Sequence, residues 1–185
     1  MSELFSIQLQ NRQQQGRDGV WLDLPTTTEQ VQAALRQIGI SSDNPQGLFI
    51  SGYFAEEEKR FAIPYNMVLA SNVDELNFLA SRLETLSTGE RAELNAALQA
   101  PQSELFSIGR ITDFPENVDY YVHLPDVHGP AQLGDYYLNR SGMVDMPEEW
   151  KGGIDTAQFG RYVAQQEQGA FTQYGYLVKS GDEWQ

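Results

Sequence analysis

The sequence contains no cysteine among its 185 residues. Disulfide bonds and cysteine-based zinc sites are therefore excluded, which is typical of proteins in a reducing compartment. No stretch approaches the ~18 consecutive apolar residues that a membrane-spanning helix needs. The first residues, MSELFSIQLQNRQQQGRDG, lack the apolar segment of a secretory signal. These absences predict a cytoplasmic protein without a membrane segment.

Basic side chains are also scarce. Twelve Lys and Arg residues stand against 26 Asp and Glu residues, so the formal net charge is −14. The excess is largest in residues 102–185, which carry 13 acidic and five basic side chains. Such a chain is repelled by DNA and by anionic membrane surfaces, and it is attracted to basic partners. Acidity also serves solubility alone, and charge by itself does not separate these two interpretations.

Apolar residues, in contrast, are plentiful enough for packed cores, at 41% of the chain with 11% aromatic. Alternating polarity in LFSIQLQ, VWLDLP and GLFISGYF predicts three strands before residue 65. Between the second and third, TTTEQVQAALRQIGI predicts a helix that is capped within Thr26–Thr28 and ends at Gly39. The N-terminal part is therefore predicted to be a small sheet with one helix.

The stretch SNVDELNFLASRLETLSTGERAELNAALQAP has no strand pattern and predicts a helical hairpin. Ser71 or Asn72 suits the N-cap of its first helix. Ser87 and Glu90 have the spacing of a capping box for the second helix.

The last part of the chain mixes both patterns. VDYYVHLP predicts a strand, GPAQLGDYYLNRSG and DTAQFGRYVAQQ predict helices, and GAFTQYGYLVKSG predicts one closing strand. Asp155 or Thr156 suits the cap of the second helix. In LGDYYLNRSG, Leu133, Tyr136 and Tyr137 share a helix face, and Gly142 suits the positive φ of a helix end. The predicted class is α+β, as an elongated chain of small domains: an N-terminal small antiparallel sheet with a helix, a central helical hairpin, and a C-terminal small sheet with helices.

Few residues suggest catalysis or metal binding. The chain has no nucleotide-binding glycine loop and no GxSxG nucleophile elbow. His123, Asp126 and His128 could together hold a divalent metal, but a proline between strand and loop interrupts their spacing. We therefore predict no catalytic residues, no metal and no cofactor.

Taken together and in order, three segments resemble the ArdA antirestriction family. They are the DELN-x-L step, the L-G-D-Y-Y-L-x-x-x-G segment and the closing F-G-R…G-x-F-x-x-x-G pattern, which together run from residue 74 to residue 175. The chain departs from the family after the tyrosine pair, where Asn139 and Arg140 stand in place of acidic residues.

The resemblance implies a cytoplasmic protein from mobile genetic elements that mimics bent duplex DNA and is not an enzyme. It implies three small domains laid end to end, and the sequence patterns place these at residues 1–65 (α+β), 66–101 (helical) and 102–185 (α+β). It also implies a homodimer that occupies the DNA-binding groove of type I restriction–modification enzymes, at their methyltransferase core, and that does not itself bind nucleic acid.

Two sets of residues are predicted to matter for this activity. In the antirestriction-like motif, Leu133, Tyr136, Tyr137 and Gly142 are predicted to be structural. The carboxylates predicted to replace DNA phosphates are Glu56, Glu57, Glu58, Asp135, Asp145, Glu148, Glu149 and Asp155.

Two alternatives remain open from the sequence. The chain could be an acidic protein-interaction module that binds another basic DNA-binding protein, such as a regulator or a nucleoid protein. It could also be an enzyme that uses the His123, Asp126 and His128 cluster, which is the weaker alternative.

Overall fold

The chain forms two compact units. The first contains Met1–Ser87 and Leu105–Pro115, and the second contains Thr88–Glu104 and Glu116–Gln185. Within its described residues, the computed structural model has two small antiparallel sheets and eight helices, which confirms the predicted α+β class. The division into three domains at residues 65 and 101 stays a prediction. The structure describes residues 4–14, 18–41, 45–57 and 60–185.

The first unit is built on a three-stranded antiparallel sheet, as the alternating polarity predicts. Strand β1 (Phe5–Asn11) lies between β2 (Val20–Leu24) and β3 (Leu48–Phe54). Apolar residues at alternate positions of β1, from Phe5 to Leu9, are buried, and the polar residues between them project to the other face. One face of the sheet therefore belongs to the core of the unit, and the other carries its polar side chains.

The predicted helix between the strands is present as α1 (Thr28–Gln37). Thr27 caps it, and the Gln30 side chain completes the capping box. The chain leaves the helix through Gly39, whose φ is 71°. The local signals therefore define both ends of this helix.

The next helices are α2 (Tyr65–Leu69), α3 (Val73–Leu83), α4 (Thr88–Gln99) and α5 (Ile108–Thr112). The two predicted helices are α3 and α4, and Asn72 caps the first of them. Helix α3 packs against α5 in the first unit, whereas α4 belongs to the second unit. The short helices α2 and α5 had no sequence prediction.

The second unit contains the other sheet, in which β6 (Gly175–Lys179) lies between β4 (Tyr121–Leu124) and β5 (Ala170–Thr172). The prediction of a single closing strand was wrong, because β5 and β6 form an antiparallel hairpin. The side chain of Thr172 closes the turn by accepting one backbone hydrogen bond and donating another. Gly175 then adopts a φ of 120°, which strongly favours glycine.

Three helices complete the second unit: α6 (Pro130–Asp135), α7 (Glu148–Lys151) and α8 (Thr156–Glu167). Helix α6 continues directly into a π-helical turn, Tyr136–Arg140. Asp155 caps α8, as predicted, by accepting a hydrogen bond from the backbone of the first turn. Among the described residues, no helix combines the length and apolar character needed to cross a bilayer.

Candidate functional site

Helices α6 and α8, which carry two of the sequence motifs, cross each other at a pair of glycines. A β-carbon on Gly134 would lie 1.9 Å from the carbonyl oxygen of Thr156, and one on Gly160 would lie 1.8 Å from that of Pro130. Carbon and oxygen atoms do not approach this closely without a bond, so only hydrogen fits at either position. The glycines of the L-G-D-Y-Y-L and F-G-R motifs are thus required by the packing of the two backbones.

The π-helical turn after α6 ends the antirestriction-like motif. The backbone N–H of Ser141 donates to the carbonyl oxygen of Tyr136 at 2.8 Å, a bond that spans five residues instead of four. Gly142 follows with a φ of 71°, which confirms the predicted left-handed helix end.

Two residues of this turn donate hydrogen bonds to the acidic residue of the motif, and one of them also pairs with its charge. The Asp135 carboxylate accepts hydrogen bonds from Asn139 Nδ2 at 2.8 Å and from the Arg140 guanidinium at 3.0 Å. These two donors hold the pKa of Asp135 below its ordinary value. Asn139 and Arg140 stand where the resemblance predicts acidic residues, and they engage a predicted phosphate mimic within the chain.

The apolar side of the motif faces the core of the second unit. Leu133 is completely buried in a cluster with Val127, Ala164 and Tyr176. Tyr136 and Tyr137 pack against this cluster, and their rings meet edge to face with centroids 5.5 Å apart. The hydrophobic face predicted from the spacing of these residues is therefore the face that packs inward.

Glu167, at the end of α8, joins the motif to the sheet. Its two carboxylate oxygens accept the hydroxyl groups of Tyr137, at 2.5 Å, and Tyr176, at 3.0 Å. Burial, followed by the bonds and charge of Glu167, raises the pKa of the Tyr137 hydroxyl well above its ordinary value. The pKa of Tyr176 is raised by the same causes. Both tyrosines therefore remain protonated donors, and one carboxylate connects the π-helical turn, α8 and β6.

Several of the predicted phosphate mimics make contacts within the chain, and several are exposed. Besides Asp135, Glu148 pairs with Lys151 at 2.6 Å, and Asp155 caps α8. Asp145 and Glu149 are exposed in the second unit. In the first unit, Glu56 and Glu57 are exposed after β3, and Glu58 lies outside the described residues.

The weaker alternative, a histidine metal site, gains no support. The ring Nε2 of His123 lies 2.7 Å from the carbonyl oxygen of Tyr174, so this side chain is engaged by the neighbouring hairpin. Among the residues that the structure describes, no group of three or more His, Asp or Glu side chains could hold a metal ion.

Glu93 was not among the predicted site residues, although helical spacing places it on the same face as buried Ala97. Its Oε1 atom is buried and has no hydrogen-bond partner within the described residues. Burial, assisted by the charges of Glu90 and Asp119, raises the pKa of Glu93 to about 7. The carboxylate is therefore destabilising when it is ionised.

We expect Glu93→Gln to stabilise the protein above pH 7 and to have little effect below pH 4.5. The folded pKa of about 7 exceeds the ordinary value of 4.5, so wild-type stability falls as the pH rises through this window. The amide of the Glu93→Gln variant does not ionise, so this decrease in stability is absent from the variant. Since Glu93 is partly exposed, we expect a gain of about 1–2 kcal/mol in the free energy of unfolding.

Chemical denaturation at a series of pH values measures this effect. The matched control is Glu149→Gln, an exposed glutamate of the same unit, which should leave the pH profile unchanged. A loss of stability in Glu93→Gln that is equal at both ends of the pH range would contradict the prediction, because it would mean that the carboxylate is stabilising.

Comparison with known proteins identifies one family. Residues 15–178 match the family model described as Antirestriction protein (ArdA). No curated protein matches the chain. The matched region includes both crossing helices, the π-helical turn and Glu167.

Proposed function

Because this chain belongs to the ArdA antirestriction protein family, we propose that it acts as a DNA mimic. In this proposal it occupies the DNA-binding groove of a type I restriction–modification enzyme, at the methyltransferase core, and so protects incoming mobile DNA. It acts by binding and not by catalysis. The only partners in this mechanism are the restriction enzyme and a second copy of the chain.

The observation that carries the proposal is the excess of carboxylates in a member of this family. The second unit contains 14 acidic and five basic side chains, and the first contains 12 and seven. Proteins that bind duplex DNA contact its phosphates largely through Lys and Arg. Arginine binds carboxylate and phosphate with similar bidentate geometry, so exposed carboxylates can take the place of phosphates.

The contacts within the chain rank the predicted mimics. Asp145, Glu149 and Glu57 are exposed and are the best candidates for partner contacts. Asp135 is already neutralised by Arg140, and a second cation gains less there. The contributions of Glu148 and Asp155 are reduced for the same reason, since each has a role within the chain.

We expect stepwise removal of the exposed charges to weaken inhibition gradually. The series is Glu57→Gln, Asp145→Asn and Glu149→Gln, combined one by one. Each exposed ion pair contributes about 0.5 kcal/mol, and the contributions add to about 1.5 kcal/mol for the threefold variant. The measurement is competition with DNA for a purified type I methyltransferase core at several salt concentrations, where the salt dependence should also decrease.

Asp135→Asn is the matched control for this series. It removes the same charge from the motif, but that charge is already paired, so its effect should be smaller than that of Asp145→Asn. Abolition of inhibition by one pair of carboxylates, with no effect from the others, would reject mimicry. If the charge-removing variants lose binding to every basic DNA-binding protein to the same extent, a general acidic interaction module is favoured instead.

We also propose that the chain works as a homodimer. At one charge per ~1.7 Å, a net charge of 14 matches only roughly 24 Å of duplex, and a second copy doubles this length. An open groove of about 340 Å³ in the second unit supports this unit as the interface, since its lining includes Val122, Tyr136 and Met143. Val122 and Met143 are exposed apolar residues. Light scattering should give twice the mass of 20.9 kDa.

A further inference from the structure

The outer face of the first unit's sheet carries aromatic side chains. Gln8 in the middle of β1 is paired with Trp21 on β2 and with Gly52 on β3. Side chains at paired positions project to the same face of a sheet. Phe54 follows Gly52 by two residues and therefore projects to this face as well. Trp21 and Phe54 are 49% and 55% exposed, so both rings are accessible to solvent.

The indole of Trp21 extends across the sheet. Its Cη2 atom is 3.0 Å from the position that a β-carbon on Gly52 would occupy, although β2 and β3 are separated by β1. Since neighbouring strands lie about 4.8 Å apart, the ring must extend over Gln8 to reach Gly52. The sheet thus covers part of the indole, and Trp21 keeps 49% of its surface exposed. Gly52 provides the space for this orientation.

Acidic groups adjoin the aromatic face. Asp23 is paired with Ser6, which is also paired with Phe54, so Asp23 and Phe54 lie on either side of Ser6. The Asp23 carboxylate accepts a hydrogen bond from the Ser6 hydroxyl at 2.6 Å and is held on this face. Glu56 and Glu57 follow β3 and are exposed.

The same face already holds one arginine of the chain. Phe49 is paired with Gln10, which projects to the same side as Gln8. The guanidinium carbon of Arg12 lies 5.3 Å from the centroid of the Phe49 ring, within the range of a cation–π interaction. This arrangement shows that the face accommodates a guanidinium group stacked on an aromatic ring.

We propose that this face, formed by Trp21, Phe54 and Asp23, binds an arginine side chain of a basic protein partner. The guanidinium stacks on the exposed part of the Trp21 indole, and its N–H groups donate to the Asp23 carboxylate. Arginine fits better than lysine because its planar group both stacks and forms paired hydrogen bonds. The inference rests on the proposed function for the identity of the partner, and it adds a contact that does not imitate a phosphate.

Binding of labelled hexa-arginine and hexa-lysine peptides to the full chain tests this proposal. The two peptides have equal charge, so general electrostatic attraction affects both. We expect the wild-type chain to bind hexa-arginine about two- to fivefold more tightly. Trp21→Leu should reduce this preference at least about twofold and leave the affinity for hexa-lysine unchanged.

The controls separate recognition from folding. Phe78→Leu removes an exposed aromatic ring of the same unit from a helix and should retain the full preference. Trp21→Phe keeps a flat ring over the sheet, so it should fold and show a reduced preference even if Trp21→Leu unfolds. Equal affinities of the wild-type chain for both peptides, or an undiminished preference in Trp21→Phe and in a folded Trp21→Leu, would overturn the proposal.

The experiments test the arginine site and the proposed function separately. Because the peptides are measured without a restriction enzyme, an arginine preference that depends on Trp21 supports this inference even if the methyltransferase core is not inhibited. Conversely, inhibition that depends on the exposed carboxylates but not on Trp21 supports mimicry and rejects the arginine site as part of the complex.

Discussion

Replacing Gly160 with alanine is expected to destabilise the protein by about 3 kcal/mol or more. The new methyl group would lie 1.8 Å from the carbonyl oxygen of Pro130 and 2.8 Å from the backbone nitrogen of Gly134. Both obstacles are backbone atoms, which cannot move aside as a flexible side chain does. Helices α6 and α8 must separate, and the cluster around Leu133 loses its packing.

Thermal and urea denaturation measure this effect. Gly89→Ala is the control, because Gly89 also lies in a helix but has no atom within 4 Å of the position that a β-carbon would occupy. It should be neutral or slightly stabilising, since alanine has the higher helix propensity. Gly134→Ala should resemble Gly160→Ala, and the double variant should be less than additive because both changes disturb one crossing. An unchanged melting temperature in Gly160→Ala would show that the helices do not cross at this point.

Replacing Tyr137 with alanine is expected to destabilise the protein by about 3 kcal/mol. The change removes a ring that packs on the Leu133 cluster and a hydroxyl that donates to Glu167 at 2.5 Å. It also leaves a carboxylate oxygen of Glu167 without this donor. Inhibition of the restriction enzyme should decline only as folding or dimerisation declines.

One further variant separates the contribution of the ring from that of the hydroxyl, and another is a control at an exposed tyrosine. Tyr137→Phe keeps the ring and should lose about 1–2 kcal/mol, which is the contribution of a hydrogen bond to a charged acceptor. Tyr162→Ala removes a tyrosine that is 60% exposed on α8 and should have little effect on stability. If Tyr137→Ala melts like the wild type and remains a dimer but no longer inhibits, the motif is a contact site and the structural prediction is wrong.

Much of the secondary structure could be predicted because its signals are local. Asn72 and Asp155 cap α3 and α8, and Gly39 and Gly142 end their helices with positive φ, as the sequence patterns indicated. A cap or a helix end depends on residues within one turn, so a single sequence contains the necessary information. The inward face of the motif helix follows from residue spacing for the same reason.

Other features could not be predicted in this way, because they lack a typical local signal or depend on distant residues. The β5–β6 hairpin turns through Gln173 and Tyr174, which are not typical turn residues, and a side-chain hydroxyl of Thr172 closes it. Identical hexapeptides, SELFSI, begin at Ser2 and at Ser103, yet the first leads into a strand and the second into helix α5. Their surroundings, and not their own residues, decide these structures.

The candidate site could likewise be predicted only in part. Sequence patterns identified the carboxylates as a class, but they did not show that Asp135 is engaged by Arg140 or that Glu167 joins two tyrosines. The position of the Trp21 ring over the sheet depends on the space at Gly52, which lies two strands away. Such pairings arise from tertiary packing and hydrogen-bond geometry, which a pattern along one strand or helix does not contain.

The glycine crossing makes two separate stretches of sequence a single unit for protein engineering. A graft that transplants LGDYYLNRSG alone places Gly134 against a foreign helix. The close approach that Gly134 makes here to the backbone of Thr156 is then lost unless the foreign helix also carries a glycine at its contact position. A chimera between two members of the family should therefore take both helices from one parent, or keep glycine at both contact positions. The junctions of a successful chimera fall before α6 and after α8, not between them.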